Sequence, residues 1–229
     1  MQNSPLSDDD CKVFQVHGAW YCYVPITKVS STYLRRALPG TQFNIHTWQW
    51  YVDNRPGPNK DDMHYLVVLR DPVERWVSGV LEYWCRAYPD HDWSPTEPQH
   101  WLFEQIEFDV HTRPQVDFLH AVVKEKCTWL WMNHAVETNS WFLHNNVSLY
   151  VIPDDDRNQG HSRPQIYFGP DGQRSEKFEP GYTASTPSAL IQSTVRQVLR
   201  DNPQYIEKIK KYYQADYDLI QSVEFYNPD

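Results

Sequence analysis

The feature that most constrains the fold is a transition from strand to helix between residues 65 and 84. Residues 65–69 (YLVVL) form a continuous apolar run, which is typical of a parallel strand buried on both faces. Arg70 ends the run, and residues 71–74 (DPVE) then combine an N-cap residue, a proline at the first helical position and an acid three residues after the cap. Apolar residues follow at helical spacing: Val73, Trp76, Val77, Val80, Leu81 and Trp84. The segment therefore predicts a buried strand followed directly by an amphipathic helix.

An earlier segment has the same order. Residues 19–24 (AWYCYV) predict a buried strand that ends before Pro25, and the hydroxyl residues 30–32 are helix-capping types ahead of a helical stretch that stops at Pro39-Gly40. A third strand is predicted at residues 148–152 (SLYVI), and two helices are predicted to begin at Pro187 and Pro203, the second continuing through Ile220. Strands that alternate with helices favour an α/β fold with an open, mostly parallel sheet.

Length and charge narrow the possible classes. A chain of 229 residues is long enough for one ordinary domain, predicted at residues 13–229 after a flexible polar leader at residues 1–12. No apolar run approaches the roughly 20 residues that cross a bilayer, and the first residues are acidic rather than basic, so a cytoplasmic protein is expected. The net charge of -9 argues against nucleic acid or an anionic membrane as a partner.

The cysteines give no support to a metal site. Cys11, Cys22, Cys85 and Cys127 form no C-x-x-C pair and have no histidine at zinc-finger spacing. Reduced thiols and no metal are therefore expected.

Residues 24–36 (VPITKVSSTYLRR) have the chemistry of an anion site. A strand end, a turn with one lysine and hydroxyl residues at a helix start together provide free N–H groups, a favourable dipole and a positive charge at Lys28. No glycine lies between Gly18 and Gly40, and Val29 follows the lysine, which excludes the ordinary magnesium-nucleotide loop. Taken alone, the segment is better explained as a capped helix with a solvated lysine.

A second candidate anion site follows the strand at residues 65–69. Arg70 lies at its carboxyl end and Ser78 lies two turns into the next helix, so a guanidinium and a hydroxyl are expected to converge. The alternative is that Arg70 pairs with Asp71 or Glu74.

The two segments together resemble the cofactor motifs of sulfotransferases that use 3'-phosphoadenylyl sulfate (PAPS). PITKVSSTYLRR resembles the 5'-phosphosulfate loop of the carbohydrate branch, which includes the heparan sulfate uronyl sulfotransferases, although Thr27 stands where many members have proline. VVLRDPVERWVSGVLEY resembles the 3'-phosphate motif. The resemblance implies a P-loop-like three-layer fold, with helices flanking a mostly parallel central sheet. It also implies that PAPS is held by Lys28, Val29, Ser30, Ser31, Thr32, Arg70 and Ser78.

The same resemblance implies the chemistry. A sulfuryl group would pass from PAPS to a hydroxyl, with carbohydrate as the favoured acceptor and 3',5'-adenosine bisphosphate (PAP) as the product, without a metal. Lys28 would stabilise the leaving phosphate. His46, in FNIHTWQW, resembles the catalytic histidine of the uronyl enzymes and is the expected general base, while His111, in a His-x-x-Pro-Gln segment, is expected to orient the site or bind the acceptor. The choice between the two histidines stays open.

Two other functions remain compatible with the sequence. A kinase-like phosphoryl transferase would need magnesium and a glycine-rich loop, and the loop is missing. A non-catalytic nucleotide-binding or glycan-binding module would bind PAP without transfer. The identity of the acceptor and the oligomeric state are not readable from the residues.

Overall fold

The computed structural model describes residues 10–29, 34–35, 38–44, 62–88, 103–119, 122–132, 141–142, 144–147, 165–168, 174–177 and 187–227. The strands in these ranges are β1 (Asp10–Val16), β2 (Ala19–Val24), β3 (Thr41–Asn44), β4 (Met63–Leu69), β5 (Cys127–Trp131), β6 (Gln165–Phe168) and β7 (Arg174–Lys177). The α-helices are α1 (Pro72–Ala87), α2 (Pro187–Asp201), α3 (Pro203–Tyr212) and α4 (Gln214–Ser222). Short 3-10 helices span Val110–Thr112, Gln115–Phe118 and Lys124–Lys126.

The main sheet is mixed and has the strand order β3-β1-β2-β4-β5. Strands β2, β4 and β5 are parallel neighbours, whereas β1 runs antiparallel to both β2 and β3. A two-residue turn, His17-Gly18, joins β1 to β2, and both of its residues have positive φ, as such a hairpin requires. Flanking helices make the architecture α/β, as the sequence predicted, but β1 adds two antiparallel ladders that the predicted strand-helix units did not include.

The strand predictions agree with the structure in part. β2 has the predicted bounds, and β4 begins two residues earlier than predicted and is fully buried from Leu66 to Leu69. β1 begins at Asp10, so the predicted leader boundary at residue 12 falls inside a strand. β5 was not predicted, and the strand predicted at residues 148–152 lies outside the described residues.

Helix α1 forms where the sequence predicts it. Asp71 is its N-cap, and the Oδ1 atom of Asp71 accepts the backbone N–H of Glu74 at 2.9 Å. Its apolar face is buried against residues of α2 and α3, and this core includes Trp76, Val77, Val80, Trp84, Ile191, Val195 and Ile209. The amphipathic spacing therefore predicted the buried face of α1 correctly.

The C-terminal region differs from the single helix predicted after Pro203. The chain breaks at Tyr213 into α3 and α4. Tyr213 is fully buried, and its hydroxyl donates to the backbone oxygen of Thr112. No helix within the described ranges is long and apolar enough to span a membrane.

Candidate anion-binding site

The two predicted anion-binding segments meet at one edge of the sheet. β2 and β4 are parallel neighbours with Val24 opposite Val67, so the chain leaves both strands on the same side. The Nη1 atom of Arg70 donates to the backbone oxygen of Lys28 at 3.3 Å. Parallel pairing therefore brings the Arg70 side chain into contact with the backbone of Lys28, so one charged residue from each motif lies at this edge.

Lys28 has a left-handed backbone, with φ of 65°, which a non-glycine residue adopts only rarely. Its Nζ atom donates to the carboxylate of Glu82, which lies on α1. Val29, a predicted cofactor contact, is fully buried and belongs to the core. Ser30, Ser31, Thr32 and His46 lie outside the described residues.

Arg75, a buried residue of α1, holds the turn that contains Lys28. Its Nε atom donates to the Thr27 backbone oxygen at 2.8 Å, and its Nη2 atom donates to Thr27 Oγ1 at 3.0 Å. Thr27 Oγ1 in turn donates to the backbone oxygen of Val110 at 3.0 Å. Burial lowers the pKa of Arg75. The hydroxyl at position 27, a departure from the proline of many sulfotransferases, thus joins the Lys28 turn to two other segments.

Gln115 holds the backbone of Arg70. Its Oε1 atom accepts the Arg70 N–H at 3.0 Å, and its Nε2 atom donates to the Arg70 oxygen at 2.9 Å. The carboxylate of Asp216, on α4, accepts the backbone N–H groups of Gln115 and Val116 at 2.9 and 3.0 Å. Burial raises the pKa of Asp216, against the opposite effect of these hydrogen bonds. Both Gln115 and Asp216 are fully buried, so Arg70 leaves β4 on a rigid support.

The guanidinium of Arg70 lies beside a second ion pair. Its Nη2 atom is 3.9 Å from Glu74 Oε2, so the pairing weighed as the alternative at the sequence level is present, at the edge of ion-pair range. Arg196, on α2, binds both oxygens of Glu74 at 2.9 and 2.6 Å. Arg196 hydrogen bonding lowers the pKa of Glu74, whereas burial lowers the pKa of Arg70.

His111 contacts carboxylates through both ring nitrogens. Its Nε2 atom is 3.3 Å from Glu82 Oε1, and its Nδ1 atom is 3.0 Å from Asp109 Oδ2. The Nη2 atom of Arg86 lies 2.9 Å from the same Asp109 oxygen and 3.3 Å from His111 Nδ1. The His111 backbone packs closely against Gly79 of α1. A Cβ at position 79 would lie only 2.4 Å from the His111 backbone oxygen, so glycine is needed there.

Helix α1 carries a row of polar residues through this region, Glu74, Ser78 and Glu82, spaced four residues apart on one face. We call this row the α1 polar row. Ser78 is partly buried and stands between the two acids in this row. Glu74 contacts Arg70 and Arg196. Glu82 contacts Lys28 and His111. The structure therefore brings Lys28, Arg70 and His111 to the same face of α1 as Ser78, between Glu74 and Glu82.

The region also contains residues that were not predicted site residues, including Arg75, Glu82, Gln115 and Arg196. Arg75 and Glu82 lie within the segment that resembles the 3'-phosphate motif, and Gln115 is the glutamine of the His-x-x-Pro-Gln segment, whereas Arg196 lies in none of the quoted segments. Within the part of the chain that the structure describes, no group of three or more histidine, cysteine, aspartate or glutamate side chains is arranged to hold a metal ion. The absence of a metal requirement stays a prediction.

No protein-family model, no curated protein and no solved structure matches this chain.

Proposed function

We propose that this protein is a PAPS-dependent sulfotransferase that transfers a sulfuryl group to a hydroxyl, with carbohydrate as the favoured acceptor class. The proposal includes a P-loop-like three-layer form of the α/β fold and a cytoplasmic location. The observation that carries it is the contact between Arg70 and Lys28 at the shared edge of β2 and β4, directly before the N-terminus of α1.

The charges at this edge suit a donor with two separate phosphate groups. Lys28 is assigned to the 5'-phosphate that carries the sulfuryl group, and Arg70 with Ser78 to the 3'-phosphate. An ammonium and a guanidinium both form short, strong hydrogen bonds to phosphate oxygens, and the amino end of a helix favours negative charge. Backbone N–H groups near Val29 and the hydroxyls of residues 30–32 complete the assigned donor site.

The reaction is an in-line displacement. The acceptor oxygen attacks the sulfur, the bond from sulfur to the 5'-phosphate oxygen breaks, and the acceptor proton passes to a base. Lys28 stabilises the charge that develops on the departing phosphate, a form of catalysis that relies on a fixed charge rather than on a metal. His46 is assigned as the base. His111, with both ring nitrogens against carboxylates, is assigned an orienting role near Lys28.

Calorimetric titration with PAP, without added metal, tests the donor site. We expect the wild-type protein to bind PAP, and both Lys28→Ala and Arg70→Ala to weaken binding by about tenfold or more, because each removes a charged hydrogen bond worth about 1.5 to 3 kcal/mol. Lys210→Ala is the matched control, since Lys210 is an exposed lysine paired with Glu207 on α3. No binding of PAP to the wild type overturns the proposal.

Turnover assays then separate the remaining functions. With PAPS and a panel of sugar acceptors, His46→Ala should abolish transfer while PAP affinity stays within about twofold of the wild type, since a base acts on the acceptor. PAP binding without transfer to any acceptor would instead indicate a binding module. Binding that requires magnesium would indicate a kinase-like enzyme.

A further inference from the structure

Glu82 places a negative charge where the proposed donor site needs a positive one. Its Oε2 atom accepts the Lys28 ammonium, and its Oε1 atom lies 3.3 Å from His111 Nε2. One carboxylate therefore joins Lys28 and His111, two predicted site residues from distant segments. A phosphate that binds the Lys28 ammonium therefore competes with this carboxylate.

The exposure of the three side chains indicates which of them can move. The Glu82 side chain is 37% exposed, whereas those of Lys28 and His111 are only 13% and 10% exposed. Lys28 stands on a turn held by Arg75, and His111 is held by Asp109 and by the close approach of its backbone to Gly79. Among the three, Glu82 is thus the side chain with room to change position.

From this arrangement we propose that Glu82 is a built-in competitor for the donor, which occupies the anion position at Lys28 until a phosphate displaces it. The inference rests on the proposed function, because it names what holds the donor site closed before PAPS arrives. On binding, the 5'-phosphate takes the Lys28 ammonium, and the Glu82 carboxylate keeps its contact with His111. Because the Lys28–Glu82 ion pair must be broken first, the donor binds more weakly than it would to Lys28 without Glu82.

The substitution Glu82→Gln tests this role, since it keeps the shape of the side chain and removes its charge. We expect PAP to bind the variant about threefold to tenfold more tightly, the range given by a partly buried ion pair of about 1 kcal/mol. Glu207→Gln is the matched control: it removes the same charge from another pair of glutamate and lysine, in which the two atoms lie 3.1 Å apart, and should leave PAP affinity unchanged at about 0.15 M salt.

A second measurement tests the ion pair without PAP. Lys28 should be acylated faster in Glu82→Gln than in the wild type when both are treated briefly with an N-hydroxysuccinimide ester and the labelled peptides are quantified by mass spectrometry. Labelling of Lys210 in the same samples should not change. Circular dichroism melts of both proteins establish that the variant is folded.

The outcomes separate the two proposals. Wild-type binding of PAP with equal or weaker binding by Glu82→Gln overturns the competitor role and leaves the sulfotransferase proposal standing. Faster labelling of Lys28 with no PAP binding by either protein overturns the sulfotransferase proposal, and the role of Glu82 in donor binding falls with it. Tighter PAP binding together with faster labelling supports both.

Discussion

Glu74 is a residue of this site whose pKa depends on a neighbouring side chain, that of Arg196. Arg196 binds both of its carboxylate oxygens, and Arg70 lies 3.9 Å away. Arg196 hydrogen bonding is the largest cause that lowers the pKa of Glu74 in the folded protein. Because a lowered pKa means that folding favours the charged form, the stabilisation is present above the unfolded pKa of about 4.3 and is lost as pH falls through the folded value.

We therefore expect Glu74→Gln to lower the free energy of unfolding by about 1 kcal/mol near neutral pH, a modest value because both partners are more than a third exposed and solvent screens the pair. The difference from the wild type should be smaller at a second, acidic pH, where protonation of Glu74 removes the charge that Arg196 binds. Urea denaturation at the two pH values measures it. A difference that is the same at both pH values would show that the charge of Glu74 does not stabilise the fold.

Helix α1 is the element on which most of the candidate site depends, because it carries the α1 polar row and Arg75 and begins directly after Arg70. Its first turn is ordered by Asp71, whose Oδ1 atom accepts the Glu74 N–H at 2.9 Å. We expect Asp71→Ala to reduce the free energy of unfolding by about 1 kcal/mol, the usual cost of a lost N-cap. Urea denaturation at neutral pH checks the value.

Asn202→Ala is the matched control for this cap. Asn202 is the N-cap of α3, and Pro203 also follows it, but its side chain makes no capping hydrogen bond and instead donates to Val198. Asn202→Ala should therefore lower the free energy of unfolding by less than Asp71→Ala does. Equal losses would mean that the Asp71 carboxylate contributes no specific stabilisation to the start of α1.

The sequence predicts those elements that are marked by residues within or next to the element itself. The bounds of β2 and the start of α1 follow from short runs of apolar and capping residues, and both agree with the structure. β5 (CTWLW) has only five residues and no repeated pattern, so it was missed. The break between α3 and α4 falls at Tyr213, whose hydroxyl bonds to Thr112, 101 residues away, and no local pattern marks it. In the site, Lys28, Arg70 and His111 stand in recognisable motifs. Gln115 stands in the same segment as His111, but its partner Arg70 lies 45 residues away, and Arg196 binds Glu74 from 122 residues away.

At the scale of the whole molecule, buried polar contacts hold distant segments around the edge of the sheet. Arg75 joins α1 to the turn after β2 through Thr27, and its Nη1 atom donates to the backbone oxygen of Arg113. Asp216 joins α4 to the segment at residues 115–116. The bonds from Arg75 to Thr27 and from Gln115 to Asp216 are buried. A buried partner left without its donor cannot bind water instead, so its loss is larger than at the surface.

Arg75→Met tests whether this network holds the molecule together. Methionine keeps much of the length of the side chain but leaves the backbone oxygens of Thr27 and Arg113 without their donor, so we expect the free energy of unfolding to fall by about 2 to 4 kcal/mol. The matched control is Arg200→Met, because Arg200 is exposed on α2 and bonds only to Gln197 among the contacts described; its effect should stay within about 0.5 kcal/mol. Urea denaturation gives both values.

PAP titration of the folded Arg75→Met protein adds a functional measure: weakened binding is expected, because the turn that carries Lys28 is no longer held against α1. If Arg75→Met proves as stable as Arg200→Met and binds PAP as the wild type does, the packing of the sheet alone positions the Lys28 turn, and the buried guanidinium is dispensable.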